Sequence, residues 1–496
     1  MSHILRLRLR WLLSFLLLLS LASGAATADE FTVVDEQGAS ETFEARLAGS
    51  GQGFFALEEA NGRMRVVPEG AVKDRQTKDG PEPIDAAGML QLLRDEFGAD
   101  RVEAMVSDPY IAAVVLAGPL EKSKEARLRA YLRTAASFLA NVDKVFAGYA
   151  RLMKFPLDKP RFPLVMLVFE QDSDFEKYAQ DVTQGRTLSA GNIAGFYSGM
   201  TNWLAVRMSE CFTFEVPLHE AIHQQVYNRG VFQRLAPIPA WFNEGIATGF
   251  ENEGERIGGN PSKINPRYAR QSRTATTVSW ADLVEDDAAF RGDVLAGEAY
   301  THAWCLHWML ATAETDSYRR FVQELSQRDP LAEISGEERL AHFQAVFGKN
   351  VGDVQQEFPR QLVNLAKRQK VNFAEDKVAG YSETLSGPAE VQLEAVSRVD
   401  QGGVLYLRGT VENKSPFRDW MLYVTVVTDS GAYADWQLPL VRAGQKVTLP
   451  QQTASKRLPG SSGGGSRTFR VRVFAALPGS ATAKSWQNGD LPTPLD

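Results

Sequence analysis

The chain reads as a multidomain α+β protein, and three observations predict that class. Four short strand-like runs crowd into residues 29–76 around an Asn-Gly pair. Residues 84–372 alternate long amphipathic helical patterns with a few apolar strand-like runs. From about residue 384 the texture changes to strands punctuated by Gly and Pro. At 496 residues the chain is too long for one ordinary core, and its length points to roughly three domains. Hydrophobic and charged fractions of 44% and 23% are those of a globular protein.

Residues 1–28 read as a secretory signal. Arg6, Arg8 and Arg10 form a basic n-region, and Trp11 to Ala22 is a 12-residue apolar run, too short to span a bilayer comfortably. Ala26-Thr27-Ala28 offers an A-x-A cleavage site before Asp29. An uncleaved anchor is the alternative. With no cysteine nearby, lipid attachment there is excluded, and no later segment is apolar enough to cross a membrane. The expected location is secreted or periplasmic.

Residues 29–76 read as a small β domain. Phe31–Val34, Thr42–Leu47, Phe54–Leu57 and Met64–Val67 are strands by composition. Asn61-Gly62 joins the last two, a hairpin signal because both turn positions favour positive φ. The unit resembles the SH3-like barrel module found beside signal peptides in some secreted and envelope proteins. Lys78 to Pro83 is a linker by composition.

The second domain spans 84–372 and reads as mainly helical with a small sheet. Leu120 to Met153 has helical periodicity through Leu128, Leu132, Ala135, Leu139, Val142 and Phe146. Phe162–Phe169, Ile193–Tyr197 and Trp203–Met208 read as strands. Helices then dominate to about Arg368. The third domain, 384–482, reads as a β-sandwich of roughly immunoglobulin size with six or seven strands, Val404–Leu407, Leu422–Val427, Trp436–Leu438 and Phe469–Phe474 among them. Residues 461–466 form a flexible loop within it, and 483–496 a disordered tail.

Charge narrows the function classes. The formal net charge is −7, and removing Arg6, Arg8 and Arg10 takes it to −10. A mildly acidic chain without a basic stripe is a poor partner for nucleic acid. The two cysteines, Cys211 and Cys305, form no C-x-x-C pair, so a cysteine zinc site is not supported. They form either one disulfide or two buried thiols.

The chemistry concentrates in Val216-Pro217-Leu218-His219-Glu220-Ala221-Ile222-His223-Gln224. Histidines four apart project from one helical face and can share a tetrahedral zinc. Glu220 lies about one hundred degrees round the helix, unable to bind the same ion but able to reach a zinc-bound water as general base. Glu244, 21 residues past His223, suits the third ligand position on a helix opened by Pro239. Glu251, expected two turns further along that helix, is the second candidate. Three protein ligands with one open position is the catalytic arrangement, so one Zn2+ per chain is expected.

His219 to Gln224, followed by Pro239-Ala240-Trp241-Phe242-Asn243-Glu244-Gly245-Ile246-Ala247, resembles the gluzincin metallopeptidases. Within them it is closest to the peptidase MA-like proteins, including a bacterial envelope group labelled as a domain of unknown function. The resemblance implies His219, His223 and Glu244 as zinc ligands and Glu220 as base. There is one departure: where thermolysin-type members carry an acidic residue four positions after the third ligand, this chain has Thr248.

Such a peptidase also needs a donor for the oxyanion. Tyr300 on the expected helix Glu298–Leu310 is the first choice, with His302 behind it and His307 nearby. The competing reading makes Tyr300, Trp304 and Trp308 an aromatic core stripe. The strand Ala194–Tyr197, or its neighbour near Trp203, is a candidate sheet edge for a peptide substrate, and Asn192 and Asn243 are candidate polar contacts. The leading expectation is a zinc metallopeptidase acting on peptides or proteins, with the β domains contacting a protein or envelope partner. The alternatives are a non-catalytic scaffold with a peptidase-like domain, and a zinc amidase acting on envelope glycopeptides.

Overall fold

The computed structural model describes residues 27–35, 37–79, 81–183, 194–211, 214–251, 257, 260–273, 278–290, 296–371, 381–398, 404–428, 431–454, 456–457 and 469–494. It is a mixed α+β structure with several sheets. Residues 1–26 of the expected signal segment 1–28, Asn192 and the loop at 461–466 lie outside the described residues, and Thr27 and Ala28 open a strand. Among the described residues no helix is long and apolar enough to cross a membrane. The chain divides into two compact units. The first comprises residues up to Ile84 with Leu235–Pro237 and Asp329–Glu333, and the second comprises the remainder.

The first unit holds one antiparallel sheet of five strands: β1 Thr27–Val34, β2 Ser40–Gly51, β3 Phe54–Glu58, β4 Met64–Pro68 and β5 Val72–Asp79, in the order β4-β3-β2-β1-β5. Phe31, Ala45, Leu57 and Val67 form its core. The four expected strands are present, but the Asn-Gly turn differs. Gly62 N–H donates to Glu59 O, and of the Asn-Gly pair only Gly62, at φ 81°, has positive φ. Asn61 instead accepts from Arg63 N–H through its side chain at 2.8 Å, a type I turn followed by a left-handed glycine. β5 lies where a linker was expected to begin. Its sequence VKDRQTKD lacks apolar alternation because it is an outer strand.

The second unit is built on a mixed sheet of β6 Val102–Ser107, β7 Tyr110–Val115, β8 Leu164–Phe169, β9 Gly195–Tyr197 and β10 Leu204–Arg207, ordered β6-β7-β8-β10-β9. The β7–β8 and β8–β10 pairs are parallel, and the two outer pairs are antiparallel. All six residues of β7 and of β8 are buried, as expected for parallel strands covered on both faces. Helix α1 is Ala86–Phe97. The crossover from β7 to β8 is α2, Glu125–Met153, which buries Leu128, Leu132, Leu139, Val142 and Phe146. Helix α3, Asp172–Thr183, leads back towards β9.

Among the described residues eight α-helices follow: α4 Glu215–Asn228, α5 Ala240–Thr248, α6 Pro266–Gln271, α7 Trp280–Glu285, α8 Ala296–Ala313, α9 Thr315–Ser326, α10 Gly336–Phe347 and α11 Val351–Gln369. Close approach of α5 and α8 depends on Gly245. A Cβ there would sit 2.6 Å from His307 Cβ and 2.8 Å from Ala303 O.

Two four-stranded antiparallel sheets complete the unit. One is β11 Tyr381–Ser386, β12 Ala389–Arg398, β13 Val404–Asn413 and β16 Lys446–Thr453. The other is β14 Trp420–Thr428, β15 Ala432–Val441, β17 Lys456–Arg457 and β18 Phe469–Ala476. Val391, Leu407 and Leu449 from the first share a core with Trp420, Val424 and Trp436 from the second. The segment expected to be a disordered tail carries helix α12, Ala481–Gln487. Ala483 and Trp486 are buried there, packed in one cluster with Met421 and Tyr423, because an indole on this short helix meets the apolar outer side of β14.

Both cysteines are buried and free, so the disulfide expected as one alternative is not formed. Cys211 Sγ reaches the Arg207 carbonyl at 3.4 Å, on the turn after β10. Cys305 lies within α8.

Candidate metal centre

Helix α4 places His219 and His223 one turn apart, and α5 brings Glu244 opposite them. The two Nε2 atoms are 3.0 Å apart. Glu244 Oε2 lies 2.9 Å from His219 Nε2 and 3.4 Å from His223 Nε2. All three are at least four-fifths buried. These residues form the described group with metal-ligand chemistry, their donor atoms within 4.8 Å of one another. A tetrahedral zinc with bonds of about 2.0–2.1 Å has ligand–ligand edges of roughly 3.3 Å, so this triangle has the size the ion needs.

The donor set adds a second argument. Glu251 Oε1 lies 2.8 Å from His219 Nδ1. An ionised carboxylate only accepts, so Nδ1 carries a proton, and in the neutral, metal-binding form of the ring the Nε2 lone pair faces Glu244 and His223. Three electron-rich atoms pressed together away from water need a positive charge among them. A proton is the other charge that can serve: burial alone would lower the His219 pKa, but hydrogen bonds to Glu244 and Glu251 outweigh it and raise it well above the ordinary value, so without a cation the ring carries a second proton, which metal binding releases. Burial would raise Glu244, and the charge of His223 with hydrogen bonds to both imidazoles instead holds it far below the usual carboxylate range.

Glu251 does not lie on α5, which ends at Thr248, and its Oε1 meets His219 at Nδ1, not at the Nε2 that faces Glu244. It sits past the helix end and grips the far nitrogen of His219. Tyr268 on α6 donates its hydroxyl to Glu251 Oε2 at 2.7 Å, and Asn265 donates to the Glu251 carbonyl at 3.0 Å. This supplies the orienting carboxylate that Thr248 lacks. Thr248 is fully buried, and its hydroxyl bonds back to the carbonyls of Glu244 and Gly245. His223 Nδ1, by contrast, is buried with no hydrogen-bond partner among the described residues.

Glu220 leaves the metal-facing side of α4, as its position in the motif requires. Its Oε2 accepts from the Tyr197 main-chain N–H at 2.8 Å. Tyr300 meets the cluster directly, its ring centroid 5.8 Å from that of His219. The negative charge of Glu244, then burial, then Glu220 and Glu251 push its hydroxyl pKa up, so the phenol stays a donor. Trp304 and Trp308 are core residues stacked at 5.7 Å, and Tyr300 is the end of the stripe that reaches the site.

His302 is set differently from Tyr300 on α8. Two positions along a helix turn a side chain by about 200°, so His302 leaves the opposite side of α8 from Tyr300. Its Nδ1 accepts from the Trp280 indole at 3.1 Å. His307 is fully buried, bonded through Nε2 to Tyr318 at 2.9 Å, and burial lowers its pKa to about 3. Asn243 is held by Tyr227 at 3.3 Å. Tyr227, one turn past His223 on the same face of α4, stacks on Tyr197 at 5.8 Å. Its fourfold spacing from His219 and His223 marks it in the sequence, whereas the roles of Tyr268 and Glu251 carry no such local signal.

A family model described as "Protein of unknown function (DUF1570)" matches residues 216–332. That span begins in the first turn of α4 and contains every residue of the cluster, including Glu251, Tyr268 and Tyr300. No curated protein matches the chain.

Proposed function

We propose that this protein is a zinc-dependent metallopeptidase of gluzincin type, peptidase MA-like, with His219, His223 and Glu244 holding one Zn2+ per chain. The reading is carried by the convergence of two imidazole nitrogens and a carboxylate oxygen within 4.8 Å, with a second carboxylate fixing the tautomer of one imidazole. When bound, zinc supplies Lewis acidity for amide hydrolysis. Glu220 takes the proton of the attacking water and returns it to the leaving amine. Tyr300 donates its hydroxyl hydrogen bond to the oxyanion formed on the scissile carbonyl.

The finer architecture belongs to the same proposal. Residues 29–76, extended by β5, form an SH3-like barrel, and β11–β18 form an immunoglobulin-like sandwich. Both present surfaces for a protein or cell-envelope partner, and residues 1–28 direct the chain to the periplasm or outside the cell.

The test pairs metal analysis with turnover. Glu220→Gln is expected to keep about one zinc per chain while peptide hydrolysis falls by about 10²–10⁴-fold. A zinc-loaded parent that cleaves nothing in a peptide library contradicts the peptidase and favours a scaffold. Cleavage of envelope glycopeptides alone favours the amidase.

A further inference from the structure

We propose that the main-chain amide of Tyr197 is a positioning group for Glu220, clamped in place by Asn202 and Asn228. This inference rests on the hydrolase reading for its kinetic consequence, and on geometry alone for the clamp.

Among the described residues β9 is the outer strand of its sheet, paired on one side with β10. Ser198 N–H donates to Trp203 O, and Arg207 N–H to Ala194 O. In an antiparallel pair the residues alternate, so Gly195 and Tyr197 direct their main-chain groups away from β10. An outward N–H on an outer strand ordinarily meets water or an added strand. That of Tyr197 is instead taken by Glu220 Oε2 at 2.8 Å, which fixes the carboxylate rotamer and leaves Oε1 as the oxygen for proton transfer. It also means that a peptide adding to this edge cannot use the Tyr197 N–H.

The amide is aimed by a network at the far end of the same residue. Tyr197 donates its hydroxyl to Asn202 Oδ1 at 2.7 Å, and Asn228 Nδ2 donates to that same oxygen at 2.7 Å. Asn202 Nδ2 donates to Asn228 Oδ1 at 2.8 Å, making the two amides reciprocal partners. Asn228 ends α4, so the hairpin that carries Tyr197 is bolted to the helix that carries Glu220. Gln224, also on α4, donates to Asn202 O at 3.2 Å. Asn202 is 2% exposed and holds φ at 65°, a left-handed conformation that asparagine tolerates better than most residues. Gly195 completes the fit. A Cβ there would fall 2.6 Å from Val206 Cγ1 and 2.9 Å from Val216 Cγ1, so β9 is pressed between β10 and the first turn of α4.

The experiment uses 15N-tyrosine-labelled protein, in which thirteen tyrosines give a sparse amide spectrum. The Tyr197 signal is the one missing from Tyr197→Phe. Its exchange with solvent is expected to speed up at least about tenfold in Glu220→Ala and in Asn228→Ala. Asn228→Ala, with zinc content unchanged, is also expected to lower kcat about tenfold and leave KM within about twofold. Exchange equally slow in both variants overturns the clamp, as does Asn228→Ala with an unchanged kcat. A parent that hydrolyses no peptide sinks the hydrolase reading, and the exchange rates still decide whether Tyr197 holds Glu220.

Discussion

Glu251 governs how His219 presents its ring. With its two oxygens divided between His219 Nδ1 and the Tyr268 hydroxyl, it fixes both tautomer and ring plane. Such outer partners are worth about 10–100-fold in metal affinity, so Glu251→Ala is expected to weaken zinc binding by about that factor in a competition titration. Unchanged affinity would show that His219 needs no such partner. His219, Glu220, His223 and Glu244 were legible in the sequence because helix periodicity and an acid beyond a Pro-opened turn encode their positions locally. Glu251 was visible as an acid but not as an orienting group. Its role depends on α5 stopping at Thr248 and on a tyrosine arriving from α6, and neither follows from spacing. His302 lies two residues from Tyr300, a spacing that puts the two side chains on different faces of α8.

Elements set the positions of these side chains through close packing. Glu244 and Tyr300 converge on His219 only because α5 and α8 approach at Gly245, where the neighbouring atoms leave no room for a methyl group. Gly245→Ala is therefore expected to destabilise the protein by roughly 1–3 kcal/mol through overpacking, read as a lower urea midpoint at constant slope. A midpoint equal to the parent's would mean the helices can part without cost. The sequence announced the apolar strand β8 and the long amphipathic α2 because burial writes itself into composition. It was silent on β5, whose polar residues carry no alternation, and on α12, whose single buried tryptophan is too sparse a pattern to read as a helix.

At the scale of the whole molecule, the two C-terminal sheets are tied to the mixed sheet within one compact unit. Glu170, at the end of β8, is fully buried, and Arg418 pairs with it through Nε and through Nη2, the latter at 2.9 Å. The same guanidinium donates to the carbonyls of Pro119 at 3.2 Å and Gly118 at 3.1 Å, and Ala117 N–H bonds Glu170 Oε2 at 2.8 Å. Burial pushes the Glu170 carboxyl up, and Arg418 opposes that shift. Removing one partner of such a buried pair costs roughly 3–5 kcal/mol, so Arg418→Met should unfold at much lower denaturant, with Glu170→Gln in the same chain restoring part of the loss. An Arg418→Met protein as stable as the parent would show that these parts stand independently. The proposal that His219, His223 and Glu244 enclose a divalent cation is decided by metal analysis of the purified protein and of Glu244→Ala. It predicts about one zinc per chain in the parent and at least about tenfold weaker retention in the variant. A parent without zinc after incubation with the ion, or a Glu244→Ala variant that holds it equally well, would contradict it.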